Sequence, residues 1–212
     1  PIVVESEESF NRMLTDLTKQ PAVAVDTESN SLHAYQERVC LIQISTREQD
    51  YLVDTLAISS LEPLGEIFAN SAIQKVFHAG DYDLTCLKRD YAFTFANYFD
   101  TSIAAAAVGE ENLGLSTLLA KYFGFSVDKK YQRADWGKRP LDAEMLRYAQ
   151  SDSHFLLPLR DRLLPFLKST GRLSLVLEDC AALAQQTPPM KNHSEDVWRV
   201  KGINGMKPRA LS

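Results

Sequence analysis

Two carboxylates set two residues apart, Asp26 and Glu28, close the apolar run of residues 22–29, AVAVDTES. In a strand, residues i and i+2 share a face, so the two acids project side by side. Like charges held together repel unless something cationic sits between them. The D-x-E spacing alone is weak: with 28 acidic residues in 212, roughly one copy arises by chance. A second copy, Asp142 and Glu144, follows Pro140 at an expected helix start, where the helix dipole accounts for it. Asp26 and Glu28 instead end a strand, and α/β sheets gather ligand sites at strand ends.

The same weighing applies to Y-x-x-x-D. Tyr148 and Asp152 are four apart inside a helical pattern and so are neighbours on one helix face. The decoy pair, Tyr131 and Asp135, lies in a loop with Gly and Pro nearby, where that spacing fixes no common face. Continued through Phe155 and Leu159, the stripe places Asp152 among apolar residues. A charge there is costly unless it is paired, binds a metal, or sits at the edge and meets water or an Arg. The run HAGDYDL offers Asp81 as a helix cap and Asp83 in the first turn, and helical periodicity does not choose between them. Asp100 is expected to cap the following helix, and His78 to be a hydrogen-bonded residue at a strand end. A strand-end pair, a later carboxylate and a helix carboxylate beside a Tyr are what a two-metal site needs. Hard oxygen donors of this kind suit Mg²⁺ or Mn²⁺ rather than Zn²⁺. Two such ions about 4 Å apart activate a water and stabilise a leaving oxygen.

Positioning those acids requires a core. The chain is 45% hydrophobic and 24% charged, an ordinary globular composition of sufficient length for one good-sized domain. A net charge of −5 argues against coating nucleic acid through overall charge, though not against a local basic groove. Three widely spaced cysteines (Cys40, Cys86, Cys180) show neither a disulfide framework nor a zinc pattern, which suits a reducing compartment. PIVVESEESF has no signal-peptide pattern and no run is long enough to cross a bilayer, so the cytoplasm is the expected location and no membrane partner is expected. Strand-like runs at 22–28, 39–45, 50–54 and 74–79, with short ones near residue 3 and at 97–101, alternate with helical patterns. The turn TREQ makes a hairpin of the second and third long runs. An α/β layer with an antiparallel insertion follows. The second half is helical, with one pattern from Leu141 to Leu167 kinked at Pro158 and a further helix around 172–186, before the linker-like TPPMKNHSED.

DTE, HAGDYD and YAQSD, in that order and at these intervals, resemble the three motifs of the tyrosine-containing DEDD branch of 3′–5′ exonucleases. Within it the match is closest to ribonuclease D, whose connecting segments LIQIS, DWGKRPL and SDSHFLLPL are similar to. The resemblance covers residues 1 to 170. It implies an α/β, ribonuclease H-like (DnaQ-like) fold, a mixed sheet of about five strands flanked by helices. It also implies a nuclease domain over 1–170, a helix leading to a linker over 171–187, and over 188–212 a linker and the incomplete start of a helical HRDC-like module. By the same resemblance, Asp26, Glu28, Asp83 and Asp152 hold two Mg²⁺ or Mn²⁺ ions. The second motif selects Asp83 because its Asp follows the Gly of HAG by three. Tyr148 orients the attacking water; with a usual pKa near 10 a tyrosine is a poor base at neutral pH.

In the light of that resemblance, Lys130, Arg133, Lys138 and Arg139 are candidates to meet phosphates, and Tyr131 or Trp136 to stack on a base. The alternative is a solvated loop with Trp136 in the core. Ser29, Asn30 and Leu32 are candidates for the terminal sugar, with Thr27 and His78 as further substrate contacts. Ser29 departs from the ribonuclease D pattern, which has an aromatic there. The implied activity is metal-dependent removal of nucleoside 5′-monophosphates from single-stranded 3′ ends, RNA favoured, tRNA 3′ processing included. The rivals are a DNA exonuclease resembling the Werner syndrome nuclease domain and a catalytically silent nucleic-acid-binding scaffold.

Overall fold

Strands β3 (Val39–Ser45) and β4 (Asp50–Asp54) are buried at every position, and β2 (Ala22–Ser29) over its first four. Strands hidden in this way need cover on both faces. The computed structural model, which describes residues 1–126 and 130–187, supplies that cover with helices. Six strands form one mixed sheet in the order β1-β4-β3-β2-β5-β6, with β1 (Ile2–Val4), β5 (Gln74–Phe77) and β6 (Tyr98–Asp100) completing it. β2, β3 and β4 are an antiparallel meander; β1 pairs with β4, β5 with β2 and β6 with β5 in parallel. The sixth strand, beyond the expected five or so, is one of the short edge pieces.

The register creates the site. β5 pairs with β2 only as far as Ala24↔Val76, so the end of β2 that carries Asp26 and Glu28 runs on past it. The helix after β5, α3 (Asp81–Tyr91), presents its first turn near that extension, with Asp83 hydrogen-bonded to Thr27. α6 (Ala143–His154) lies against β2, β3 and β4, and α7 (Leu156–Ser169) against β2 and β5. Small buried residues on α6, Ala149 and Ser153, allow the close approach, and the Ser153 hydroxyl pairs with Ser45 of β3 at 2.8 Å.

The remaining helices are α1 (Glu7–Leu17), α2 (Glu62–Ala69), α4 (Thr101–Val108), α5 (Leu115–Phe123) and α8 (Leu173–Gln185). Ser6 caps α1 in a capping box with Ser9, and Asp100 caps α4 by accepting from Ser102 and Ile103. Asp142 and Glu144 do stand at a helix start, as expected, and Asp142 caps α6 by accepting from the Met145 N–H. Two expectations change. Asp81 is not a cap, since Gly80 holds that place and Asp81 is the first helical residue. The pattern from 141 to 167 is two helices broken at Phe155, not one kinked at Pro158. Pro158 falls in the first turn of α7, where its missing N–H has no partner to lose. α8 was expected as a way out to a linker; it buries Val176, Cys180 and Ala184 in the main core. The expected linker and module start at 188–212 lie outside the described residues.

Candidate metal centre

Asp26 and Glu28 share the β2 face that meets α6, because their partners on β3 are Gln43 and Leu41, and Leu41 packs with Ala149 and Trp136. Asp152 comes down from α6. One carboxylate oxygen each from Asp26, Glu28 and Asp152 lies within 4.8 Å of the others. Asp83 is the fourth acid. It is 9% exposed and its Oδ1 accepts a hydrogen bond from the Thr27 hydroxyl. Its charge acts on both Asp26 and Asp152. Asp81 is exposed on the same helix and is not part of this group. The choice that periodicity left open is therefore made by burial.

Burial is the first cause of every shift in the cluster, and mutual repulsion is the next for three of its members. It lifts Asp26 well above the usual carboxylate range, reinforced by Asp83, Asp152 and Glu28. Glu28 is lifted well above it too, by burial and then by Asp152 and Asp83. Asp152 rises to about 7 from burial and the charge of Asp83. Asp83 rises to about 6 through burial, opposed by hydrogen bonds from Thr27. Among the described residues, no cationic side chain contributes to these shifts. Acids crowded out of water without a counter-charge are held at a cost, and a bound divalent cation removes it. The donor set, carboxylate oxygens alone, fits hard Mg²⁺ or Mn²⁺.

Tyr148 stands one turn before Asp152, half-buried, with its ring centroid 5.9 Å from Tyr131 and 6.1 Å from Trp136. It lines a cleft of about 450 Å³ with Phe125, Lys130, Tyr131, Arg147 and Ser151. The other expected substrate residues divide into two groups. Lys130, Arg133, Lys138 and Leu32 are at the surface, Leu32 being 67% exposed. Lys130 pairs with Glu144 at 2.7 Å and lies over the Tyr131 ring. The rest are engaged in the fold. Trp136 is 1% exposed, so no base can stack on it. Arg139 grips Asp54 through two nitrogens at 2.6 and 2.7 Å and donates to the carbonyls of Trp136, Lys138 and Cys40. It clamps the loop instead of offering itself to a phosphate. Ser29 donates to Glu37, and Asn30 accepts from the Arg38 backbone. His78 bonds through Nδ1 to Thr101 at 2.9 Å, and burial lowers its pKa.

Three roles escaped the sequence. Asp100 does more than cap α4: its carboxylate also accepts from the backbone N–H groups of Ala79 and Gly80 and from Tyr98, and so fastens the turn before Asp83. Its place at the end of a strand facing the HAG turn was the available signal. Asp50 accepts from Gln150 and His154, anchoring the end of α6 on β4. Nothing in a single sequence pairs residues a hundred positions apart. Arg147 lines the cleft one residue before Tyr148.

Fold and acid cluster together define a class. The family profile described as 3′–5′ exonuclease matches residues 1–168, and the chain belongs to that family. Its six-stranded mixed sheet with flanking helices is the ribonuclease H-like fold. The particular relatives agree with the motifs. The chain is 41% identical over 187 residues to exosome complex exonuclease RRP6 of Saccharomyces cerevisiae, across 88% of this chain and 26% of that protein. It is 32% identical over 214 residues to ribonuclease D of Acidiphilium cryptum, across 100% of this chain and 54% of that one. Among solved structures, the catalytic core of RRP6 from Trypanosoma brucei matches with a TM-score of 0.85 and 33% identity, covering 99% of this chain and 59% of that one. The chain thus spans about a quarter of the yeast relative and about half of the bacterial one.

Proposed function

We propose that the chain is a metal-dependent 3′–5′ exoribonuclease that releases nucleoside 5′-monophosphates one at a time from single-stranded ends. The observation that carries this reading is the convergence of Asp26, Glu28 and Asp152 within 4.8 Å, with Asp83 beside them. A pair of Mg²⁺ or Mn²⁺ ions bound there supplies Lewis-acid activation of water and neutralisation of charge on the leaving oxygen. The protein's part is positional. β2, α3 and α6 fix the carboxylates; Tyr148 orients the attacking water beside Asp152. The cleft next to Tyr148 offers Lys130 and Arg147 to phosphates and Phe125 and Tyr131 to a base. The names of the relatives, an exosome exonuclease and ribonuclease D, favour RNA, and tRNA 3′ ends are one candidate substrate. We place the nuclease unit at 1–170 with α8 packed on it, and the protein in the cytoplasm. Single buried cysteines suit that reducing compartment, and no helix of the described residues is long and apolar enough to cross a membrane.

The test is a time course on 5′-labelled RNA and DNA in parallel, with Mn²⁺, Mg²⁺ or EDTA. The expected result is an RNA ladder shortening from the 3′ end, abolished by EDTA. Asp152→Asn is expected to lower the rate at least about a thousandfold, since several kcal/mol of charge stabilisation is removed. Faster shortening of DNA would move the reading to the DNA exonuclease. No shortening of either strand with either metal would favour the silent scaffold.

A further inference from the structure

Gln43 is the one polar side chain in the run VCLIQI of β3, and it is 0% exposed. Neither its amide nitrogen nor its amide oxygen has a hydrogen-bond partner among the described residues. Buried amides without partners are rare and costly, and an apolar side chain of the same shape fills such a place better. Its position offers a reason for the amide. The strand register sets Gln43 directly opposite Asp26, and cross-strand partners share a face with Cβ atoms about 5 Å apart. On its other side Gln43 pairs with Leu52 of β4. Along β3 the residues on its own face are Leu41 and Ser45. Leu41 and Leu52 pack with Ala149 of α6, and Ser45 bonds to Ser153. The amide is thus enclosed between the sheet and the helix that carries Asp152, with the Asp26 carboxylate as its ionisable cross-strand neighbour.

We infer that Gln43 is a positioning residue for the metal centre: its side-chain N–H donates to the outer oxygen of Asp26 when Asp26 holds a cation, and so fixes which oxygen faces the ion. Resting on the metal-dependent reading above, this gives that site a supporting residue outside its four acids and its tyrosine. Carboxylates that ligate metals are held by such outer hydrogen bonds, and losing one weakens the metal about 10- to 100-fold. The strand pairing already fixes both backbones, so the adjustment that the inference requires is one of the side chains. Ser45, the next residue on the same face, has its hydroxyl occupied by Ser153. Gln43 has no such competing partner.

The test is calorimetric titration of Mn²⁺ into the metal-free chain and into Gln43→Met, with the metal-free Tm of each. The expected result is a variant that melts at or above the parent's temperature, because orphaned polar atoms are gone, yet binds Mn²⁺ about 10- to 100-fold more weakly. Leu52→Ala opens a cavity beside Gln43; it is expected to melt lower and to keep the parent's affinity. Parent-level affinity in Gln43→Met overturns the inference. So does an equal loss in Leu52→Ala, or a Gln43→Met that unfolds, since the amide would then be structural. A parent that binds no Mn²⁺ overturns the metal centre itself and this inference with it, which keeps the two failures apart.

Discussion

Asp81 and Asp83 are two residues apart on one helix turn and have opposite fates. Asp83 is enclosed and bonded to Thr27, whereas Asp81 faces solvent. Asp83→Asn is therefore expected to cut kcat/KM on labelled RNA about a thousandfold or more, and Asp81→Asn to stay within a few-fold of the parent. The acids also set a pH dependence. Their folded-state pKa values lie above the unfolded ones near 4, up to about 6 for Asp83 and about 7 for Asp152. Between those values the folded chain binds more protons than the unfolded chain. The resulting stability is complete below about pH 4 and is lost as pH rises through about 7. In EDTA the Tm should fall across that window, and Asp152→Asn should flatten the fall; a flat parent profile would contradict the burial of the cluster. At this scale the sequence was legible where spacing fixes a face, as for Asp26 with Glu28 and Tyr148 with Asp152. It was not legible for Trp136 and Arg139. Whether a loop aromatic or cation faces water is decided by tertiary partners such as Asp54 and the Cys40 carbonyl.

The element that positions Asp83 is the turn between β5 and α3. Ala79 adopts φ 50 there, and the Asp100 carboxylate accepts from its N–H and from that of Gly80. A Cβ on Gly80 would lie 2.8 Å from two Phe77 carbons and 2.9 Å from the Tyr98 hydroxyl. Gly80→Ala is expected to cost about 1–3 kcal/mol, read as a lower denaturant midpoint, because the neighbours are a packed ring and a bonded hydroxyl. Asp100→Ala strands four backbone donors, those of Ala79, Gly80, Ser102 and Ile103, and a tyrosine hydroxyl together, so it is expected to cost about 3 kcal/mol or more and to remove most activity by releasing the turn. An Asp100→Ala chain of parental stability would show that the turn holds itself. Most elements were readable from periodicity, from Asp100 as a cap and from the acids at the start of α6. The break at Phe155 was not: Phe155 and Leu159 continue the spacing of Tyr148 and Asp152 across it, and periodicity sees the spacing without the change of axis.

For the molecule as a whole, a chain of net charge −5 has a polyanion as its proposed substrate, and the proposed metal centre gathers further carboxylates at the point of approach. Bound cations would resolve both difficulties at once. The mixed sheet and the order of its motifs were legible as soon as DTE, HAGDYD and YAQSD were read together. What the sequence could not supply was the register that lets β2 outrun β5, since strand pairing is set by long-range packing. The most direct measurement is equilibrium binding of Mn²⁺ to the metal-free chain near pH 7.5, with Asp26→Asn in parallel. The expected result is two ions per chain, each stabilising the fold by about 2.7 kcal/mol at a hundredfold excess over its Kd, with binding at the site lost in the variant. No binding by the parent, or the same binding in Asp26→Asn, would contradict it.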